Sequence, residues 1–264
     1  LLVAALAASM PTALVFSLHG KPIAQRSFVD LQHEAVVLRV FEPHEQRERE
    51  YRAVRMRDLL TRLYGEQWKN PDDVLVFTCS DGYQPAIPTE NFVQQEAYLA
   101  LGAADQNPFE LHDQDSVPVV PLGPSYLIWQ NLDEPSLRAD TAHDWPYQVV
   151  SIDLVSFAER YPGLVPPSSA SAQARRGFGY FRHYCLVCHQ MNGEGGTKGP
   201  DLSQVANRWK DHQLMQRFIL NPSAVSPGSA MPGLPDTVKD REALVADIVK
   251  YLEAMATRPR PKTP

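Results

Sequence analysis

Cys185-Leu186-Val187-Cys188-His189 is the stretch on which the reading of this 264-residue chain turns. Two thiols three residues apart fall on one turn of helix, and a histidine directly follows the second. That spacing suits covalent attachment of a haem: each thiol adds across one vinyl group, and the imidazole sits beneath the iron. Zinc is the main competing reading of paired cysteines, but it takes about four ligands, and the chain has one other cysteine, Cys79. The expectation is a redox carrier with one covalently attached haem c.

An iron held by His189 in a low-spin centre needs a second axial ligand, usually a methionine thioether. Met231 fits, 42 residues after His189 in Ser229-Ala230-Met231-Pro232-Gly233, a stretch whose proline and glycine predict a loop. Met191 is too close in sequence to cross the ring. Met215 falls in the helical spacing Leu214, Met215, Phe218, Ile219 and reads as packing.

Residues 173–256 resemble class I cytochromes c. The similarity rests on Gly177 and Phe181 ahead of Cys185, on Gly199-Pro200-Asp201-Leu202, on Asn221-Pro222 and on a last helix over residues 243–255. The resemblance implies an all-α domain in which the Pro200 carbonyl accepts the proximal imidazole's ring proton, strengthening donation to iron. It also implies that Gly177 lets Tyr251 or Leu252 approach closely where the first and last helices cross. Arg208 and Trp209 occupy the region where family members bind a haem propionate.

With 44% hydrophobic residues and ordinary composition, the chain has material for two cores. Its net charge of −6 is uneven: residues 170–264 carry 13 Lys/Arg against 8 Asp/Glu, and residues 1–169 carry 12 against 23. A basic unit on an acidic body suggests steered docking to an acidic redox partner. No basic, aromatic-interleaved run points to nucleic acid.

Residues 1–18 hold no charge and include LLVAALAAS and TALVFSL on either side of Pro11. The run is longer than a signal-peptide core of roughly 7–15 residues and near the length of a membrane span. Residues 1–19 are therefore expected to form an uncleaved transmembrane anchor helix, in preference to a secretion signal. Either would export the rest, placing the protein at a bacterial inner membrane with its soluble domains in the periplasm, the side on which such haems are attached.

Residues 20–160 read as an α+β domain with a mixed, curved sheet. Strands are expected over 36–41, 74–78, 117–120, 125–129 and 147–154, and helices over 56–64 and 90–100. Prolines and serines mark 161–172 as a semi-extended, soluble linker, and 257–264 is a Pro-rich tail with Arg258, Arg260 and Lys262.

Pieces of the 20–160 region are similar to the molybdopterin-binding domain of the sulfite oxidase type: Tyr51-Arg52-Ala53-Val54-Arg55-Met56-Arg57-Asp58-Leu59-Leu60, Ser80-Asp81-Gly82-Tyr83 followed by Ile87-Pro88, and the strand at 147–154. In that family a cysteine ahead of the Tyr-Arg stretch binds the metal, because molybdenum needs a soft thiolate. The matching segment here, FEPHEQRERE at 41–50, contains none, and Cys79 lies after it. The resemblance thus implies the fold without molybdopterin, a docking body for the haem unit.

Other constellations are thin. His33, His44, His112 and His143 are scattered beside Glu34, Glu45, Asp113 and Asp144, and no His-Glu-x-x-His pair, phosphate loop or nucleophile elbow occurs. The expected whole is multidomain: a membrane-anchored monohaem cytochrome that catalyses nothing alone and passes single electrons to or from a respiratory oxidase or reductase complex. Two rivals remain at this point: a molybdenum sulfite dehydrogenase fused to its acceptor, and a haem-based ligand sensor.

Overall fold

Two sheets and a helical C-terminal unit make up the computed structural model, which describes residues 11–111, 119–133, 145–234, 236 and 238–256. The first sheet has the order β2-β1-β11-β5-β6, from β1 (Ala13–Leu18), β2 (Lys21–Ser27), β5 (Asp73–Cys79), β6 (Ala86–Pro88) and β11 (Val149–Ser156). It is mixed, because β1 runs parallel to β11 while the other pairs are antiparallel. The second sheet is antiparallel with the order β10-β7-β4-β3, from β3 (Val36–Glu42), β4 (Arg47–Arg55), β7 (Ala97–Ala103) and β10 (Tyr126–Trp129). Helices α1 (Phe28–Glu34), α2 (Met56–Tyr64) and α3 (Thr89–Gln94) connect them, and β8 (Glu110–Leu111) pairs with β9 (Val120–Pro121).

The anchor helix expected over residues 1–19 is not formed: residues 13–18 are β1, an interior strand between β2 and β11. Among the described residues no helix is long and apolar enough to cross a membrane. A strand buried on both faces is written as a continuous apolar run, so hydropathy alone does not separate it from part of a span. Leu14 and Phe16 are fully buried in the core between the sheets. Residues 1–10 of that stretch lie outside the described residues.

One further expectation changes, and one strand forms where none was expected. Helix α3 stops at Gln94, and residues 97–103, AYLALGA, become β7 because they lie between β10 and β4 in the sheet; tertiary pairing overrides their helical propensity. The charged run at 47–55 is β4, whose inward residues include Tyr51, Ala53 and Arg49, all 1% exposed or less. Arg49 is tolerated there because Glu45 (2.9 Å), Asp105 (2.7 Å) and the carbonyls of Pro108 and Glu110 receive its protons. Nearby, the buried Glu42 carboxylate accepts from the hydroxyls of Tyr51 (2.9 Å) and Tyr126 (3.0 Å) and faces His44 Nδ1 at 2.8 Å. Of the strand expected over 117–120, residues 117 and 118 lie outside the described residues, as do His112, Asp113, His143, Asp144 and the 257–264 tail.

The start of the 161–172 segment is packed. Residues 162–164 form a 3-10 turn, Tyr161 and Leu164 are fully buried, and the Tyr251 hydroxyl donates to the Leu164 carbonyl at 2.7 Å. Before it comes α4 (Phe157–Arg160), and beyond it α5 (Ala172–Tyr184), α6 (Val205–Arg208), α7 (His212–Leu220), α8 (Pro222–Val225) and α9 (Arg241–Ala256), with a short β12–β13 hairpin (Gln190–Met191, Glu194–Gly195).

Helices α5 and α9 cross at Gly177, where an added Cβ would stand 1.9 Å from the Asp247 carbonyl oxygen and 3.0 Å from the Ile248 nitrogen. The close approach expected of Tyr251 or Leu252 falls instead one turn earlier, at Asp247. Tyr251 packs its ring on Phe178 and Phe181.

Strand β5 explains how the halves join. Its side chains alternate: Leu75, Phe77 and Cys79 enter the core between the two sheets, whereas Val74 and Val76 enter a second core with Phe181, Leu186, Ile248 and Tyr251. Val155, Phe157, Tyr161 and Leu164 belong to that second core too. The Arg182 guanidinium lies 3.5 Å from the centre of the Phe157 ring.

Candidate functional site

Helix α5 delivers the Cys-x-x-Cys-His turn. After Tyr184 the chain keeps one more helical turn, the amides of Cys188 and His189 both donating to the Cys185 carbonyl (3.1 and 2.8 Å). Both cysteines therefore project from one turn, and both thiols are free. Burial pushes the Cys185 thiol up to about 12 and raises that of Cys188.

His189 Nδ1 lies 2.8 Å from the Pro200 carbonyl oxygen. A carbonyl only accepts, so in the neutral ring Nδ1 carries the proton and Nε2 keeps its lone pair free to bind a metal. The glycines after the motif, in GEGGTKGP at 193–200, let the backbone close around this turn. A Cβ on Gly199 would stand 2.5 Å from the imidazole Cε1, one on Gly196 would stand 2.1 Å from the Val187 oxygen, and Gly195, at φ +120°, would meet the His189 oxygen at 2.4 Å. Sequence reasoning used Gly199 only as part of a motif; the cluster of glycines was the signal for the other two.

The structure brings Cys185, Cys188, His189 and Pro200 together. Met231, Arg208 and Trp209 sit on other segments. Met231 is half-buried in a loop held by its own amide on Ser229 Oγ (3.3 Å) and by the Leu234 amide on the Ile219 carbonyl (3.2 Å). Met191, Met215 and Met255, by contrast, are core residues at 2% exposure or less. Arg208 reaches back to the Asp201 carbonyl (3.4 Å), and Trp209 packs on Phe218 with ring centres 5.0 Å apart.

These residues fit haem c. Two free thiols share one turn, the neighbouring imidazole has its Nε2 available, and Leu202, Val205, Trp209, Ile219 and Leu220 line the rim of the core half-buried. Among the described residues, no group of three His, Cys, Asp or Glu is placed to hold a metal ion of the zinc kind.

The family model described as Cytochrome c matches residues 174–256, which makes the C-terminal unit a cytochrome c domain and haem c its implied cofactor. No family match confirms the sulfite-oxidase-type resemblance of the N-terminal half. No curated protein matches the chain.

The N-terminal half contributes to this site through a turn that the sequence marked for a different reason. The turn at Ser80-Asp81-Gly82-Tyr83, between β5 and β6, lies against the haem-attachment loop. The Gln84 amide donates to the Val187 carbonyl (2.7 Å), the Thr197 amide donates to the Gly82 carbonyl (2.9 Å), and Lys198 Nζ pairs with Asp81 Oδ2 (2.5 Å). Gly82 has φ +85°, and a Cβ there would stand 2.4 Å from Thr197 Oγ1.

Proposed function

We propose that this chain is a monohaem c-type cytochrome that carries single electrons between redox partner proteins, in which Cys185 and Cys188 would be joined to haem c through thioethers and His189 and Met231 would bind its iron. The observation that carries the reading is the Cys185–His189 turn with its imidazole Nδ1 tied to Pro200, which leaves Nε2 as the ligand atom. When bound, haem c supplies a one-electron iron couple. The protein's part is to hold the imidazole rigidly through Pro200, to bring a thioether from a loop free of helical constraint, and to keep water from the ring with half-buried apolar side chains. With both His189 and Met231 bound, the haem would serve electron transfer, and the chain by itself is read as a carrier.

The compartment proposed is an exported one, the periplasm, where haem c is attached. The partners proposed are the acidic faces of a respiratory oxidase or reductase, met by the 13-to-8 basic excess of residues 170–264. The N-terminal domain is proposed to hold no molybdopterin: residues 41–50 have no cysteine, and Cys79 lies buried in β5 with its thiol pKa raised by burial.

The test is to express the full chain with haem-attachment machinery. The expected result is one iron per chain, a thioether-linked haem spectrum, and a midpoint potential that falls in Met231→Ala, because a thioether favours the reduced state. A Met231→Ala protein with unchanged spectrum and potential would remove that ligand assignment. Molybdenum in stoichiometric amount with iron would replace the reading with an enzyme.

A further inference from the structure

The Ser80–Gln84 turn grips the haem-attachment loop at two places that flank the His189–Pro200 bond. One grip is on Val187, between the two cysteines, whose carbonyl accepts from the Gln84 amide at 2.7 Å. The other is on Thr197 and Lys198, through the Gly82 carbonyl (2.9 Å) and the Asp81 carboxylate (2.5 Å). Lys198 precedes Gly199-Pro200 directly, and Pro200 supplies the oxygen that orients the imidazole. Two residues of backbone separate the ion pair from the carbonyl that sets the ring.

The geometry points to Asp81 as a positioning residue for the proximal haem ligand, so that the N-terminal domain tunes the haem instead of merely accompanying it. This rests on the haem reading above. The physical link is short and stiff. From within, the Gly196 amide donates to the Leu186 carbonyl (2.9 Å) and the Gly199 amide to the Cys188 carbonyl (2.6 Å); between these two bonds, at Thr197 and Lys198, the loop is held from outside by the turn that meets it. The turn is itself rigid: Asp81 Oδ1 accepts from the Tyr83 amide (3.0 Å), and the Cys79 amide donates to the Tyr83 carbonyl (2.9 Å). With the tether released, the Pro200 carbonyl moves relative to the ring, imidazole donation to iron weakens, and the reduced state is favoured.

Asp81→Asn tests this in the full chain, because asparagine keeps an oxygen for the Tyr83 amide and removes only the charge that holds Lys198. Hydrogen exchange at the Thr197 and Gly199 amides is expected to quicken about fivefold, the fold-change that an ion pair of this exposure supports. The midpoint potential is expected to rise, with the His189 Nδ1 proton resonance displaced. Asp81→Asn with Lys198→Gln, which removes both charges together, is expected to keep the shift. A potential that returns to the wild-type value in that neutral double variant, or that shifts with no change in exchange, would make the effect one of field alone and overturn the positioning role. So would an Asp81→Asn protein identical to wild type. A chain that takes up no haem would defeat the proposed function while leaving the exchange measurement able to decide on the tether.

Discussion

Gly177→Ala and Gly179→Ala, one turn-neighbour apart on the same helix, are expected to change stability in opposite directions. Alanine is favoured over glycine in a helix by about 1 kcal/mol, and Gly179 is exposed with nothing within 4 Å of an added Cβ, so Gly179→Ala gains up to that amount. At Gly177 the same Cβ would stand 1.9 Å from the Asp247 carbonyl oxygen and 2.4 Å from its carbon. That is roughly 1.5 Å short of ordinary contact, and the obstacle is backbone, which cannot rotate away. The bidentate pair of Arg176 with Asp247 (2.9 and 3.3 Å) holds α9 at this crossing and opposes a sideways slide. Overpacking costs typically about 1–3 kcal/mol, and a backbone clash sits at the top of that range. Subtracting the propensity gain leaves a net loss of about 2 kcal/mol, or roughly 30-fold in the folded-to-unfolded ratio. Urea unfolding followed by far-ultraviolet circular dichroism reads this as a lower midpoint at unchanged slope. A Gly177→Ala protein as stable as wild type would show that the helices are not held at backbone contact, and the account of the crossing would fall.

Other perturbations have defined outcomes. Arg49→Ala removes the fully buried guanidinium that pairs with the buried Glu45 carboxylate at 2.9 Å and is expected to cost about 3–5 kcal/mol in chemical denaturation, the range for breaking a buried ion pair. Gly199→Ala places a methyl against the imidazole and is expected to abolish the His189 Nδ1–Pro200 hydrogen bond, read by loss of the protected ring-proton resonance, while Cys185 and Cys188 still take up haem. For acid stability, the Arg55 side chain, with a smaller contribution from Arg57, holds the Glu96 carboxyl below its usual 4.5, and Arg62 followed by Arg26 does so for Glu34. Both contribute stability that is full above the unfolded-state value and lost as pH falls through the lower folded-state one. Glu96→Gln is therefore expected to flatten the fall in melting temperature below about pH 4.5 and leave the neutral-pH slope unchanged.

Local sequence carried the attachment turn well because its chemistry is local: two thiols and an imidazole within five residues need only one helical turn to act together. The strands at 36–42, 73–79, 126–129 and 149–156 and the helices at 56–64 and 241–256 were legible for a related reason, since each has a periodic apolar pattern or β-branched run of its own. Strand β4 was hidden because its charged residues pair across the sheet, as Arg39 does with Glu50 (2.8 Å), and because Arg49 is buried by partners far along the chain. Strand β7 was hidden because AYLALGA suits a helix until β4 and β10 enclose it.

The apolar N-terminal run marks the sharpest division between the two levels. Its sequence says only that residues 13–18 avoid water; the pairing of Val15 with Ser151 and of Phe16 with Ile152, across more than 130 residues, decides that they do so inside a sheet. The same holds at the haem loop. The sequence alone determined the cysteines, the histidine and the proline that faces it. Only the tertiary structure put Asp81, Gly82 and Gln84 against that loop, because such contacts join segments about 100 residues apart whose meeting depends on Val74, Val76 and Phe157 sharing a core with Phe181 and Tyr251.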